Sequence, residues 1–231
     1  MPLIAGMQQL GLDTDSQVIE RLLAYRALLE RWGRVFNLTA IRDPMTMVSA
    51  HLLDCLAVIP ALRRHWGHMP SGPWVDVGSG AGLPGIILAI TEPHQPIHLV
   101  EPVGKKAAFL RQCCGELGLR AVRVHECRIE DSSARTLQAP AAAMIICRAF
   151  ASLADFVGGA RHLIGPDTRL VAMKAARWQQ EVNDYATAGA ANDNRGIAIE
   201  DTLTLQVPML DATRALILLK MPSPDSRNTA D

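Results

Sequence analysis

From Val18 onward, apolar residues recur every three or four positions, at Val18, Leu22, Tyr25, Leu29, Trp32 and Phe36. Arg21, Arg26, Glu30, Arg31 and Arg34 fall mostly between them. That period predicts an amphipathic helix. Its basic face has two readings, a solvated surface or a phosphate contact. Residues 1–16 carry no clear period and are expected to be loosely ordered. Further on, Asp43-Pro44 supplies an N-cap followed by proline at the first helical position, opening a helix expected to run to about Ile59. The cluster Pro70-Ser71-Gly72-Pro73 then breaks the pattern. Residues 1–70 are therefore read as a helical extension, 71–221 as a second domain and 222–231 as a disordered tail.

After Trp74 the rhythm changes to short apolar runs separated by helical segments. Strands are expected at 74–77, 97–101, 122–125, 143–147 and 170–174, with helices after Gly85, over 104–117 and over 153–163. The late runs 202–207 and 215–220 suggest an antiparallel pair. Strands spaced by helices predict an α/β fold with a doubly wound, mostly parallel seven-stranded sheet and right-handed crossovers. Ligands of such sheets bind at the carboxyl ends of the strands. Residues 176–197 read as a helix turning into a mobile loop.

Composition narrows the field. The 231 residues are 49% hydrophobic and 20% charged, and 23 basic side chains balance 23 acidic ones, so any RNA contact must come from a local patch. Five cysteines without a Cys-x-x-Cys, and without histidines at zinc-ligand spacing, point to reduced thiols in a cytoplasmic protein and to no metal. No secretory leader is apparent and no run approaches the length of a membrane span, so no membrane is expected.

The chemistry concentrates where strand 74–77 runs into Gly78-Ser79-Gly80-Ala81-Gly82-Leu83-Pro84-Gly85. Glycines permit positive φ and let a ligand approach the main chain, while the amides of the following helix point at it. Gly80-x-Gly82-x-x-Gly85, with Glu101 downstream, fits a dinucleotide fingerprint. A P-loop is excluded, because Ile86 follows Gly85 in place of the Lys-Ser/Thr that reaches phosphate and magnesium. Asp76 shifts the balance, since a carboxylate repels a pyrophosphate but favours the cationic S-adenosylmethionine. Glu101, at the next strand end, is placed to accept the ribose hydroxyls, and Ile129 and Glu130 lie where an adenine would be held. Arg148 emerges from an apolar strand at the same rim. His51 and Asp54 stand three apart on one helical face. A surface pair and a satisfied core histidine both remain open for them.

Taken together, Asn37-Leu38-Thr39, Arg42-Asp43-Pro44, His51-Leu52-Leu53-Asp54, Asp76-Val77-Gly78-Ser79-Gly80-Ala81-Gly82-Leu83-Pro84-Gly85-Ile86, Gly104-Lys105-Lys106, Arg148-Ala149-Phe150-Ala151-Ser152-Leu153 and Leu205-Gln206-Val207-Pro208 resemble the glucose-inhibited division protein B (RsmG) family. The likeness extends from about Val18 to Lys220. It implies a Rossmann-like class I methyltransferase that uses S-adenosyl-L-methionine to modify guanine N7 in bacterial 16S ribosomal RNA, as a monomer acting on the RNA or the small ribosomal subunit. It also implies cofactor contacts at Gly78, Leu83, Ile129, Glu130 and Arg148, with Glu101 in the acidic ribose position, and these join Asp76, Ser79 and Gly80 of the loop as the expected cofactor-binding residues. Asn37, His51 and Arg148 become candidates lining the substrate pocket. Cys55 and Cys147 stand where the family more often has serine, and Ala175 where Lys-Gly is usual. Guanine N7 carries an in-plane lone pair and no proton, so the implied reaction needs no general base. A small-molecule methyltransferase, a nicotinamide dehydrogenase and a nucleotide-binding module are the competing readings.

Overall fold

The protein is described here by a computed structural model covering residues 1–36, 38–133, 135–137, 142–188 and 196–222. Asn37, most of the loop expected after the helix at 176, and all but the first residue of the expected tail lie outside the described residues. The N-terminal part contributes α1 (Pro2–Gln9), α2 (Ser16–Phe36) and α3 (Pro44–Trp66). Asp43 caps α3 by accepting the Thr46 amide at 2.6 Å, as the Asp-Pro signal predicts. Within α3, Val48–Leu53 forms a π-helical turn.

Two expectations are corrected here. Residues 2–9 are helical, because Leu3 and Met7 are each only 1% exposed and Gly6 packs against Leu53. Helix α3 runs past Ile59 to Trp66, and it is long and apolar enough to cross a membrane by length and composition alone. That corrects the reading that no run approaches a span. Within the protein, 78% of its apolar window is buried, so its apolarity serves the core.

Seven strands follow: β1 (Trp74–Val77), β2 (Ile97–Val100), β3 (Val122–His125), β4 (Met144–Arg148), β5 (Arg169–Lys174), β6 (Ala198–Leu205) and β7 (Arg214–Lys220). They form one sheet in the order β3-β2-β1-β4-β5-β7-β6. The first five are parallel, whereas β7 runs antiparallel to both β5 and β6. Between the strands lie α4 (Gly85–Thr91), α5 (Gly104–Glu116), α6 (Leu153–Ala160) and α7 (Trp178–Ala188). Strands β1, β2 and β4 are almost wholly buried, as expected for parallel strands covered on both faces. One face packs Trp74 and Ile146 against α2, α3, α4 and α5. The other packs Val75, Val77 and Ile145 against α6 and Tyr185 of α7. The N-terminal helices thus share a core with the sheet.

Candidate functional site

Strand order reverses at β1, which has β2 on one side and β4 on the other. The carboxyl ends of these strands are where a doubly wound sheet opens a crevice. The turn that leaves β1 is built almost entirely from main chain. The Gly78 and Ser79 amides donate to the Val100 carbonyl at 2.9 and 3.1 Å, and the Gly82 amide donates to the Ser79 carbonyl at 2.7 Å. Gly78, Gly80 and Gly82 have φ of 67°, 58° and 90°, a region that favours glycine.

The glycines divide into two kinds. A Cβ at Gly82 would meet Ile86 at 2.4 Å, and one at Gly85 would meet Leu99 at 2.2 Å and Asp76 at 2.5 Å, so these two serve close packing. At Gly78 and Gly80 a Cβ would meet nothing nearer than Phe150 at 3.8 Å and the Gly78 carbonyl at 3.7 Å. Those two leave an open cradle of bare backbone.

Glu101 borders the cradle and is 3% exposed. Its Oε2 accepts the Gly80 amide and its Oε1 the Val103 amide, both at 2.8 Å. Each oxygen retains a lone pair for a further donor. Ser79 faces inward, its hydroxyl donating to the Asp76 carbonyl at 2.9 Å. Leu83 is half-buried against the core. Ile129 is buried and Glu130 is exposed, and both flank Gly159 of α6.

Asp76 lies beneath the loop, 1% exposed, where its Oδ2 accepts the Gly85 amide at 3.0 Å and caps α4. Its Oδ1 is buried without a partner among the described residues. Burial, opposed by the Gly85 and Ser79 contacts, pushes its carboxyl up to about 7.

Arg148 reaches from the end of β4 into the π-helical turn of α3. Its Nη2 donates to the Ala50 carbonyl at 3.0 Å, and its Nη1 lies 3.4 Å from both Cys55 Sγ and Asp54 Oδ2. Asp54 is 1% exposed and accepts from Arg214 Nε at 2.9 Å. The next residue, Ala149, has φ 57°, a strained value for a residue with a Cβ.

His51 is the satisfied core histidine of the two earlier readings. Its Nδ1 lies 3.0 Å from the Ala50 carbonyl, which can only accept, so the ring proton sits there. Its Nε2 accepts from the Thr39 hydroxyl at 2.7 Å, and Thr39 in turn accepts the Ile41 amide. Burial and the Arg148 charge hold the imidazole at about 4, neutral at physiological pH.

The structure therefore brings Gly78, Gly80, Leu83 and Glu101 together, with Asp76 and Ser79 as supports underneath. It gives Arg148 and His51 internal partners, and Asn37 lies outside the described residues. Sequence reasoning missed Tyr25, whose hydroxyl donates to the Ala81 carbonyl at 2.6 Å, and Arg214, the second partner of Asp54. Tyr25 reads as one more member of an apolar stripe, and Arg214 stands 160 residues from its carboxylate. A cavity of about 450 Å³ opens elsewhere, at the amino ends of β4 and β5 beside Trp66 and Asp167. Among the described residues no three His, Cys, Asp or Glu side chains are grouped to hold a metal.

A family model described as rRNA small subunit methyltransferase G matches residues 18–202. A protein of Methylobacillus flagellatus named Ribosomal RNA small subunit methyltransferase G is 44% identical over 214 residues, covering 93% of this chain and 94% of its own. A protein of the same name from Cupriavidus pinatubonensis is 42% identical over 220 residues, covering 93% and 91%. Among solved structures, TrmN from Thermus thermophilus aligns with a TM-score of 0.51 at 20% identity, over 76% of this chain and 53% of that one. At that identity the likeness is one of fold.

Proposed function

This chain belongs to the rRNA small subunit methyltransferase G family, and from that premise we propose that it transfers a methyl group from S-adenosylmethionine to guanine N7 of 16S ribosomal RNA. The observation that carries the reading is the open backbone cradle at Gly78 and Gly80 beside a carboxylate that can still accept hydroxyls. A nucleoside fits such a place by close approach to main chain and by its ribose. When bound, S-adenosylmethionine supplies a methyl group made electrophilic by a sulfonium.

In this reading Gly78, Gly80 and Leu83 hold the main chain against the donor, Glu101 accepts from its ribose, and Ile129 with Glu130 flanks its adenine. Asp76, Ser79 and Arg148 are positioning residues. The first two hold the loop from beneath, and Arg148 holds the π-helical turn that carries His51. Asn37 and His51 belong to the acceptor side. His51 is neutral and both its nitrogens are engaged, so it offers shape and polarity but no base. That suits an acceptor nitrogen with no proton to lose, where alignment and exclusion of water carry the rate.

Residues 1–70 form the extension that walls the acceptor side in this proposal, and 71–221 form the transfer domain. The substrate is small-subunit RNA or the subunit itself, met in the cytoplasm by a single chain that requires no metal. Two measurements test the reading. Calorimetry should show binding of S-adenosylmethionine and none of NAD. A tritiated-methyl transfer assay should label undermethylated small-subunit RNA or whole subunits at guanine N7, and label on a metabolite with none on RNA would refute it.

A further inference from the structure

Glycine-rich main chain has little to hold it in place. Between Gly78 and Leu83 the internal bonds run only from Gly82 and Leu83 back to the Ser79 carbonyl, and three of the residues have positive φ. Such a segment loses more conformational freedom on ordering than any other, so its position depends on anchors from outside. Three are present. Glu101 takes the Gly80 amide, Asp76 takes the Gly85 amide, and Tyr25 donates to the Ala81 carbonyl. The first two come from the strand ends that form the crevice. Tyr25 comes from α2, 56 residues away in sequence, and is 0% exposed.

We propose that Tyr25 is a positioning residue of the methyl-donor site, its hydroxyl fixing the Ala81-Gly82 peptide and with it the open main chain that receives the donor. This inference rests on the reading of the glycine loop as the donor site. A buried phenylalanine would fill the same space, so the hydroxyl is the part that needs a reason. Its bond to Ala81 is short, and it is the only side-chain bond to the middle of the loop from α2 among the described residues. Burial, with Cys113, Cys55 and Asp76 nearby, holds the phenol well above its ordinary value, so it remains a donor at every working pH. The Ala81 amide donates to nothing among the described residues, so the residue that Tyr25 steadies also presents a free N–H at the loop. The N-terminal extension thereby supplies part of the donor site itself.

The test is Tyr25→Phe in the full chain, which removes one oxygen and keeps the ring. Donor Kd measured by calorimetry should rise about five- to tenfold, the usual scale of one lost hydrogen bond. The kcat at saturating donor should stay within about twofold, since the chemistry is untouched. Amide exchange at Gly82 and Leu83 should quicken while that of β4 does not. Leu22→Ala is the control, a buried apolar change on the same helix that lowers thermal stability and should leave donor Kd alone. Wild-type donor affinity and unchanged loop exchange in Tyr25→Phe would overturn the proposal. So would an equal loss of donor affinity in Leu22→Ala, which would mean general loosening. Failure of the wild type to bind the donor would instead sink the site reading, and the exchange measurement would then report separately whether Tyr25 holds the loop.

Discussion

At the scale of single residues, the informative contrast is between glycines that look alike in sequence. A Cβ at Gly85 would stand 2.2 Å from Leu99 and 2.5 Å from Asp76, inside the core. Gly85→Ala should therefore cost about 2 kcal/mol of stability by overpacking, read as a lower urea midpoint. Gly80 has room for a Cβ but φ of 58°, so Gly80→Ala should cost only about 1 kcal/mol while weakening donor binding in calorimetry. Equal stability losses would mean that the two glycines do the same work. The spacing of glycines was legible in the chain, but which of them pack against the core and which leave bare main chain depends on Leu99 and Ile86, whose approach no local pattern reveals. Asp76 carries a similar lesson, because strand alternation puts it on the face of Trp74 and so under the loop. Its carboxyl, lifted by burial to about 7 from an ordinary 3.8, is favoured in its protonated form by folding. That contribution is complete below about pH 4 and is lost as pH rises toward 7. Asp76→Asn removes the titration and keeps an acceptor for the Gly85 amide. Its thermal stability relative to wild type should climb between about pH 4 and 7 and level off above, and a difference flat across that range would mean that the carboxyl titrates at its ordinary value.

At the scale of elements, the strands and the helices between them were readable because β1, β2, β4 and β5 are short apolar runs bounded by breakers, and because parallel strands are buried on both faces. Helix α1 was not readable. Eight residues are too few to display a period, and Gly6 in its middle lowers any helical preference. It forms because Gly6 allows close approach to Leu53 in the π-helical turn, so packing and not propensity makes the helix. Leu3→Ala should then lower stability by about 2 to 3 kcal/mol in guanidinium titration, and a silent substitution would mean that the segment is as loose as its sequence suggests. The end of α3 was misjudged for a related reason. Expected to end at about Ile59, the helix continues because the chain turns at Ala57 and starts a new helical segment at Val58, which places Pro60 in a first turn where its missing N–H costs little.

At the scale of the whole molecule, the extension and the sheet are joined by contacts that only the fold can bring together. Asp54, in the N-terminal part, binds Arg148 at the end of β4 and Arg214 at the start of β7, and so ties α3 to the rim on both sides of β5. In sequence, His51 and Asp54 invite the thought of a pair, yet the described structure bonds the histidine to Thr39 and Ala50 and the acid to two guanidinium groups, with Arg148 lying 3.4 Å from each of them. Burial outweighs both cations and raises the Asp54 carboxyl above its ordinary value. The contribution of this cluster is thus chiefly geometric, because a buried ion pair gives back in desolvation much of what it gains in attraction. Asp54→Ala removes the acceptor and leaves two part-buried guanidinium groups without their shared carboxylate, which should cost about 3 kcal/mol in chemical denaturation. Asp54→Asn keeps an acceptor for Arg214 Nε and should cost clearly less. A double-mutant cycle with Arg214→Ala separates the two accounts: coupling retained by the asparagine variant marks a bond that orients the rim, whereas coupling lost with the charge would make attraction the dominant part.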